Sequence, residues 1–157
     1  MSFEIIPATG PDQIEVVRAL FTEYAQSLGF SLCFQGFDEE IATLPGAYTP
    51  PKGRLLLATF GREAAGCVAI RPLEGDACEL KRLFVRPAHR ATGLGRALMD
   101  RILAEARAAG YARMRLDTVV GTMDRAIAMY RRYGFREIAP YGKHPVPGTI
   151  DMELELG

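Results

Sequence analysis

Three β-strand patterns follow one another within residues 54–85, and this succession constrains the fold more than any other feature of the sequence. Two apolar runs cover residues 54–60 and 64–71, and Gly61-Arg62-Glu63 between them is typical of a hairpin turn. A third run covers residues 77–85. Parallel neighbours need a long crossover connection, so strands joined this closely pair antiparallel. The sequence therefore predicts an antiparallel meander.

The alternation of apolar residues breaks inside the third of these strands. Cys78 and Leu80 are apolar in one phase, whereas Leu83 and Val85 are apolar in the other. A period-2 pattern that shifts by one residue is typical of a β-bulge, and it predicts one at residues 81–82.

Helices and strands alternate around the meander. Apolar residues spaced three and four apart predict helices, and short alternating or apolar runs predict strands. The predicted helices cover residues 11–28, 94–109 and 124–132, with a short one at 37–41, and the predicted strands cover residues 3–7, 113–118, 135–139 and 150–156. A chain of 157 residues with 48% hydrophobic side chains can bury one sizeable core. We expect an α/β (α+β) fold in a single domain over residues 1–157.

The formal net charge of the chain is zero, but the charges are unevenly distributed. Residues 1–78 contain five Lys or Arg and ten Asp or Glu, whereas residues 79–157 contain fourteen and nine, so the halves carry net charges of −5 and +5. A sequence pI near 6.7 argues against a general nucleic-acid-binding protein. The basic segment, residues 80–99, contains no acid and five cations: Lys81, Arg82, Arg86, Arg90 and Arg96. This local excess predicts a polyanionic ligand.

Several protein classes are disfavoured. The N-terminal residues have neither the basic nor the apolar region of a signal peptide, and the apolar runs are too short to span a membrane. Cys33, Cys67 and Cys78 have no disulfide or zinc spacing, and His89 and His144 form no metal motif. We therefore expect a cytoplasmic protein without a membrane association, a disulfide framework or a metal.

A glycine-containing loop lies between the third meander strand and the helix at residues 94–109. In Arg90-Ala91-Thr92-Gly93-Leu94-Gly95 the glycines allow a ligand to approach the backbone closely, and the helix start adds a partial positive charge. Arg90 and Arg96 add guanidinium groups that suit phosphate oxygens. An ordinary turn with solvated arginines is the alternative. A Rossmann motif does not fit, because Leu98 occupies its third glycine position.

Two segments resemble the signatures of the GNAT superfamily of N-acyltransferases. Arg90-x-x-Gly93-x-Gly95, preceded by Leu83-Phe84-Val85-Arg86-Pro87, resembles the family's acyl-CoA-binding motif, and Ala126-Ile127-Ala128-Met129-Tyr130-Arg131-Arg132-Tyr133-Gly134-Phe135 is similar to its second motif. The resemblance covers roughly residues 54–157. It implies a GNAT-like sheet with a bulged, splayed fourth strand. It also implies transfer of an acetyl group from acetyl-CoA to a primary amine, by direct transfer in a ternary complex.

The resemblance also implies where the coenzyme binds. The loop residues would cradle the pyrophosphate of acetyl-CoA, and the bulged strand would pair with its pantetheine arm. The implied loop contacts are Arg90, Ala91, Thr92, Gly93, Leu94, Gly95 and Arg96, and the implied strand contacts are Leu83, Phe84 and Val85.

Tyr130 matches the general acid of the family, which protonates the departing thiolate, although its position on an apolar helix face also fits a core residue. Glu79 is the candidate general base, because an alkylammonium must lose a proton before it can attack a thioester. The alternative for Glu79 is a strand residue paired with neighbouring cations. Asp117 is a second candidate base, and Cys78 is a weaker candidate as an acyl-carrying nucleophile.

The acceptor, a small-molecule or peptide amine, is expected to bind at residues 30–51 and 140–148, which correspond to the acceptor-binding segments of the family. The acids at residues 38–40 could attract a cationic amine or simply be the solvated start of a helix. Three further residues are candidates for the acceptor mouth: Tyr48, Tyr141 and His144.

Two other classes of protein remain open from the sequence. One is a non-catalytic acyl-CoA-binding or sensing domain, and the other is a domain that binds a different nucleotide diphosphate in the same loop. By analogy with the family, a homodimer could form through the apolar last strand.

Overall fold

The computed structural model describes residues 2–32, 35–142 and 144–157. In chain order the elements are β1 (Phe3–Pro7), α1 (Pro11–Ser27), α2 (Phe37–Thr43), β2 (Arg54–Phe60), β3 (Glu63–Pro72), β4 (Ala77–Val85), α3 (Leu94–Ala108), β5 (Arg113–Val119), α4 (Asp124–Tyr133), β6 (Arg136–Ile138) and β7 (Thr149–Glu155). The predicted order of helices and strands is confirmed. β6 begins one residue later than predicted, because the N–H of Phe135 is bonded to the carbonyl of Tyr130 at the end of α4.

The strands form one sheet in the order β1-β2-β3-β4-β5-β7-β6. All neighbouring pairs are antiparallel except β4 and β5, which are parallel. The α/β fold class, the mostly antiparallel sheet and the meander of β2, β3 and β4 are therefore confirmed. β7 pairs with β5 along its whole length and with β6 at residues 151–153. The homodimer expected through this strand stays a prediction.

The predicted bulge lies in β4. Cys67 of β3 faces Phe84, but Ala69 faces Lys81, so β4 uses one residue more than β3 over this stretch. Arg82 takes up the extra residue with a left-handed φ of 60°.

The carboxyl ends of β4 and β5 are separated. The two strands pair only from Ala77 to Glu79 on one side and from Arg113 to Arg115 on the other. Beyond that point β5 continues to pair with β7 as far as Val119, while β4 continues to Val85 next to β3 alone. The fourth strand is thus both bulged and splayed, as the resemblance implied.

Both faces of the sheet are covered, and β2 shows how. Leu56 packs into a core with Leu98 and Ile102 of α3. Its neighbours Leu55 and Leu57 point to the opposite face, where α1 and α2 pack. The splayed ends of β4 and β5 therefore lie between two helical layers, and the space between the strands is walled on both sides.

Two of the cysteines are buried free thiols. Burial raises the pKa of Cys78 to about 12 and raises that of Cys67 further, so neither thiol is ionised near neutral pH. Cys78 is therefore poorly suited to act as a nucleophile. Cys33 lies outside the described residues. None of the described helices combines the length and the apolar character needed to cross a membrane.

Candidate active site

A cleft of about 650 Å³ occupies the gap between β4 and β5. Residues 80–85 of β4 form one wall and residues 116–119 of β5 form the other, with α1, α3 and α4 around them. Its volume lies within the usual range of small-molecule sites. Because β4 has no strand partner on its β5 side beyond Glu79, the backbone of that edge is available to a bound ligand.

One end of the cleft is formed by the loop before α3. Ala91 and Gly93 have left-handed φ angles of 60° and 88°, and α3 starts at Leu94. The first bond along the helix runs from the N–H of Ala97 to the carbonyl of Gly93, so the preceding amides have no partner within the helix. A Cβ atom added at Gly93 or Gly95 would meet nothing within 4 Å. These exposed amides at a positive helix end suit an anionic diphosphate.

The predicted coenzyme contacts divide into two groups. Six line the cleft: Leu83, Phe84, Val85, Arg90, Ala91 and Gly95. The side chains of the others point elsewhere, since Leu94 is buried in the core and the hydroxyl of Thr92 donates to the carbonyl of His89. Arg96 lines a separate depression beside Tyr133. The roles predicted for these residues rest mainly on backbone amides, and they stay predictions.

The basic segment does not act as one charged surface. Arg86 donates to the carboxylate of Glu23 through two nitrogens, and Arg82 does the same to Glu40. Arg90 is the arginine of this segment that lines the loop end of the cleft, where its Nε also donates to the carbonyl of Val85 at 3.0 Å. The sequence-based expectation that all these cations serve a polyanion was therefore too broad.

Tyr130 lines the cleft from α4, and its residue surface is 7% exposed. Its ring packs against Phe135 with the ring centroids 5.6 Å apart. Among the described residues its hydroxyl has no hydrogen-bond partner. Burial, and to a lesser extent the nearby Tyr24 and Asp117, raise the pKa of Tyr130 well above its ordinary value. The phenol therefore keeps its proton across the physiological range and can donate it.

Glu79 lies in an ion network next to the cleft, and it is not among the residues that line the cleft. Its carboxylate accepts hydrogen bonds from Arg71 at 2.8 Å and from the hydroxyl of Tyr141 at 2.7 Å, with the Lys81 ammonium 3.8 Å away. Burial works to raise the pKa of Glu79, but Lys81, Tyr141 and Arg71 outweigh it and the pKa is lowered. Tyr130 therefore lines the cleft whereas Glu79 does not, and the base role of Glu79 stays a prediction.

A second group of titratable residues, Asp117, His144 and Asp151, lies at the cleft. Asp117 and His144 both line it, with Nδ1 of His144 3.9 Å from the Asp117 carboxylate. Nε2 of His144 lies 2.6 Å from the fully buried Asp151, which faces Asp117 across the β5–β7 pair. In residues 150–156 polar residues alternate with apolar ones, which predicts a half-buried strand with Asp151 on the exposed face. That is wrong for Asp151, because residues 151–153 are all buried. No local signal identifies Asp151, since its position opposite Asp117 follows from the long-range pairing of β5 and β7.

The other acceptor-side candidates have different positions. Tyr48 is buried and donates to Glu40, and Tyr141 is occupied by Glu79, so neither lines the cleft, whereas His144 does. Of the acids at residues 38–40, the first two are exposed at the start of α2 and Glu40 neutralises Arg82. These acids are therefore not arranged to receive a cationic amine.

Comparisons with known proteins agree on the family. The profile of the acetyltransferase (GNAT) family matches residues 17–135. An uncharacterized N-acetyltransferase of Schizosaccharomyces pombe is 38% identical over 148 residues, which cover 93% of this chain and 90% of that protein.

Solved structures share the fold. An acetyltransferase from Streptococcus agalactiae has a TM-score of 0.79 at 22% identity and covers 98% of each chain. An acetyltransferase from Salmonella typhimurium, solved with its cofactor acetyl-CoA, has a TM-score of 0.76 at 19% identity, covering 100% of this chain and 95% of that one. The splayed sheet and the family match define the protein as an acyltransferase. The chain belongs to the acetyltransferase (GNAT) family.

Proposed function

We propose that this protein is an N-acetyltransferase that moves the acetyl group of acetyl-CoA to a primary amine by direct transfer in a ternary complex. One observation carries the proposal: the glycine-containing start of α3, the unpaired edge of β4 and Tyr130 all line one cleft. Membership of the family and a structural neighbour solved with acetyl-CoA support it. The acceptor is a small molecule or a peptide.

Two neighbouring segments contribute to coenzyme binding: the carboxyl end of β4 and the start of α3. The free amides at the start of α3 and the guanidinium of Arg90 bind the pyrophosphate. The backbone of Leu83 and Val85 pairs with the pantetheine amides, as a missing strand would. A backbone N–H at this edge also polarises the thioester carbonyl.

Acetyl-CoA supplies an acetyl group that its thioester bond activates. As the amine nitrogen bonds to the carbonyl carbon and the carbon–sulfur bond breaks, Tyr130 donates its proton to the departing sulfur and regains one from solvent. The raised pKa of Tyr130 supports this direction of transfer, since the phenol is protonated before each turnover. The acceptor ammonium releases its proton, so the products are the N-acetyl amine, the free thiol and one proton.

The base that takes the acceptor proton must reach the cleft. We propose the pair of Asp117 and His144 for this role, because both line the cleft and Oδ1 of Asp151 lies 2.6 Å from the far nitrogen of the imidazole. Glu79 remains a competing prediction that requires a water chain from its ion network. The comparison of Asp117→Asn with Glu79→Gln decides between them. Loss of the true base lowers kcat most strongly near neutral pH, where the base is ionised and the acceptor is an ammonium, and the deficit shrinks as the pH approaches the amine pKa of about 10.

The proposed function is tested by ligand stabilisation and thiol release. Acetyl-CoA and CoA should raise the Tm, because a ligand at a hundred times its Kd adds about 2.7 kcal/mol, whereas NAD and ATP should not. An amine panel should then release thiol from acetyl-CoA. Stabilisation by NAD or ATP alone would favour a nucleotide-binding domain, and CoA binding without thiol release for any amine would favour a sensing domain.

A further inference from the structure

The acceptor end of the cleft contains a buried lysine that the proposed chemistry does not use. Lys81 lies on β4, on the side of the bulge away from the glycine loop, and it lines the cleft. Its side chain is 7% exposed. A buried ammonium is costly unless hydrogen bonds or opposite charges satisfy it.

The hydrogen bonds of this ammonium are incomplete within the described residues. An ammonium has three N–H donors. One donates to Oε1 of Gln35 at 2.9 Å, and the carboxylate of Glu79 at 3.8 Å is too distant for a hydrogen bond. Two donors are therefore left without an acceptor in this part of the chain. Burial lowers the pKa of Lys81 although Glu79 acts in the opposite direction, which reflects the same incomplete neutralisation.

The surrounding charges leave a local positive excess on this wall. Glu79 is shared between Arg71 and Lys81, so one carboxylate serves two cations. The neighbouring Arg82 forms a neutral pair with Glu40. On the opposite wall Asp117 lies close enough to raise the pKa of Lys81 slightly, so the cleft has a cationic side on β4 and an anionic side on β5.

We propose that Lys81 and Gln35 form a carboxylate subsite, so that the acceptor is a primary amine which also carries a carboxylate, as a free amino acid does. This rests on the proposed N-acetyltransferase function. The carboxylate of the acceptor accepts hydrogen bonds from the two free N–H donors of Lys81. The amino group of the acceptor then faces Asp117 and His144 on the other wall. Side chains of the N-terminal region also line the cleft: Tyr24, Leu28, Phe30 and Leu32.

The first test compares each free proteinogenic amino acid with its carboxamide as acceptor, measured as thiol release from acetyl-CoA. The subsite predicts that, for the best acceptor, kcat/KM of the acid exceeds that of the amide by about ten- to a hundredfold, the range of a charge-assisted hydrogen bond. Equal or better use of the amides overturns the subsite and leaves the N-acetyltransferase function standing.

The second test measures the acid-to-amide ratio of kcat/KM in two variants. Lys81→Met should lower the ratio at least tenfold. Arg71→Met is the matched control, because it removes the other cation of Glu79 from a side chain that is 43% exposed and does not line the cleft. The control should keep the ratio within about twofold of the wild type. An equal loss in both variants means that general electrostatics, not a subsite, sets the preference.

A binding measurement separates the subsite from catalysis and from folding of the variants. In the presence of CoA, the best amino acid should raise the Tm of the wild type more than its carboxamide at the same concentration. If an amino acid raises the Tm more than its carboxamide does while no amine is acetylated, the subsite stands and the N-acetyltransferase function fails. If no amino acid stabilises the protein or serves as an acceptor better than its amide, the subsite is refuted.

Discussion

Removal of the Tyr130 hydroxyl separates catalysis from packing in a way that few substitutions in this protein allow. The hydroxyl has no hydrogen-bond partner among the described residues, whereas the ring packs against Phe135. Tyr130→Phe keeps the ring and leaves no polar group unpaired. We therefore expect the free energy of unfolding to change by less than about 1 kcal/mol.

The activity should respond very differently. If Tyr130 protonates the departing thiolate, kcat for acetyl transfer should fall by about 10²- to 10⁴-fold, the usual contribution of a general acid. KM for acetyl-CoA should stay within a few-fold, since binding rests on the α3 amides and β4. In the wild type, the raised pKa of Tyr130 predicts that kcat does not decline below pH 10 through loss of its proton.

Tyr133 provides the matched control on the same helix. Its hydroxyl donates to Asp100 at 2.6 Å and to the carbonyl of Arg96 at 3.2 Å, so Tyr133→Phe should cost about 1 kcal/mol of stability while kcat is retained. Steady-state kinetics by thiol release and urea unfolding measure both effects. A Tyr130→Phe protein that keeps its kcat, or that loses acetyl-CoA affinity together with turnover, refutes the general-acid assignment.

Three further substitutions test the coenzyme loop, the ion network and the bulge. Gly95→Val should raise the Kd for acetyl-CoA at least tenfold, measured by calorimetry, because its side chain projects into the cleft; outside the adjoining residues and the backbone of its own helix, no heavy atom lies within 4 Å of the new Cβ. Glu79→Gln should lower the free energy of unfolding at pH 7 by about 2 kcal/mol, less than the roughly 3–5 kcal/mol of a fully buried pair because Arg71 is partly exposed. Its lowered pKa means that Glu79 stabilises the fold above the unfolded-state pKa near 4.5 and that this stabilisation is lost as the pH falls, so urea unfolding at pH 4 should show a smaller difference. Gly66→Ala should destabilise the protein by about 1–3 kcal/mol in the same assay, because its Cβ would lie 2.6 Å from the carbonyl oxygen of Phe84. Unchanged stability of the Gly66→Ala protein would contradict that close packing of β3 against β4.

The fold was predictable because its signals are local. Alternation of apolar residues identified the strands, and the phase shift at residues 81–82 identified the bulge. The last strand shows the limit of this reasoning. A pattern of alternating polar and apolar residues predicts one covered face, but residues 151–153 are all buried, so both faces of β7 are covered there.

The candidate site was only partly predictable because sequence shows which residues are near a strand and not what they contact. Glu79 precedes the residues of β4 that are predicted to contact the coenzyme, as a base would, but Arg71 of the neighbouring strand, Lys81 and the distant Tyr141 surround its carboxylate. His144 and Asp151 lie in segments without a motif. They approach Asp117 only because β5 and β7 pair, and that long-range pairing is not written in any local pattern.

Acidic side chains of the N-terminal half form ion pairs with basic side chains of the C-terminal half, and these pairs determine which charged groups are left to bind a ligand. The bulge gives Arg82 a left-handed conformation beside Glu40 of α2, and Arg86 pairs with Glu23 of α1. Glu23 and Glu40 thereby hold α1 and α2 against β4 and the residue that follows it, so these two acids cannot also serve as the receptor for a cationic amine. Among the described residues, Lys81 keeps two N–H donors without an acceptor. Neutralisation between the halves therefore supports the proposal that the acceptor carries a carboxylate.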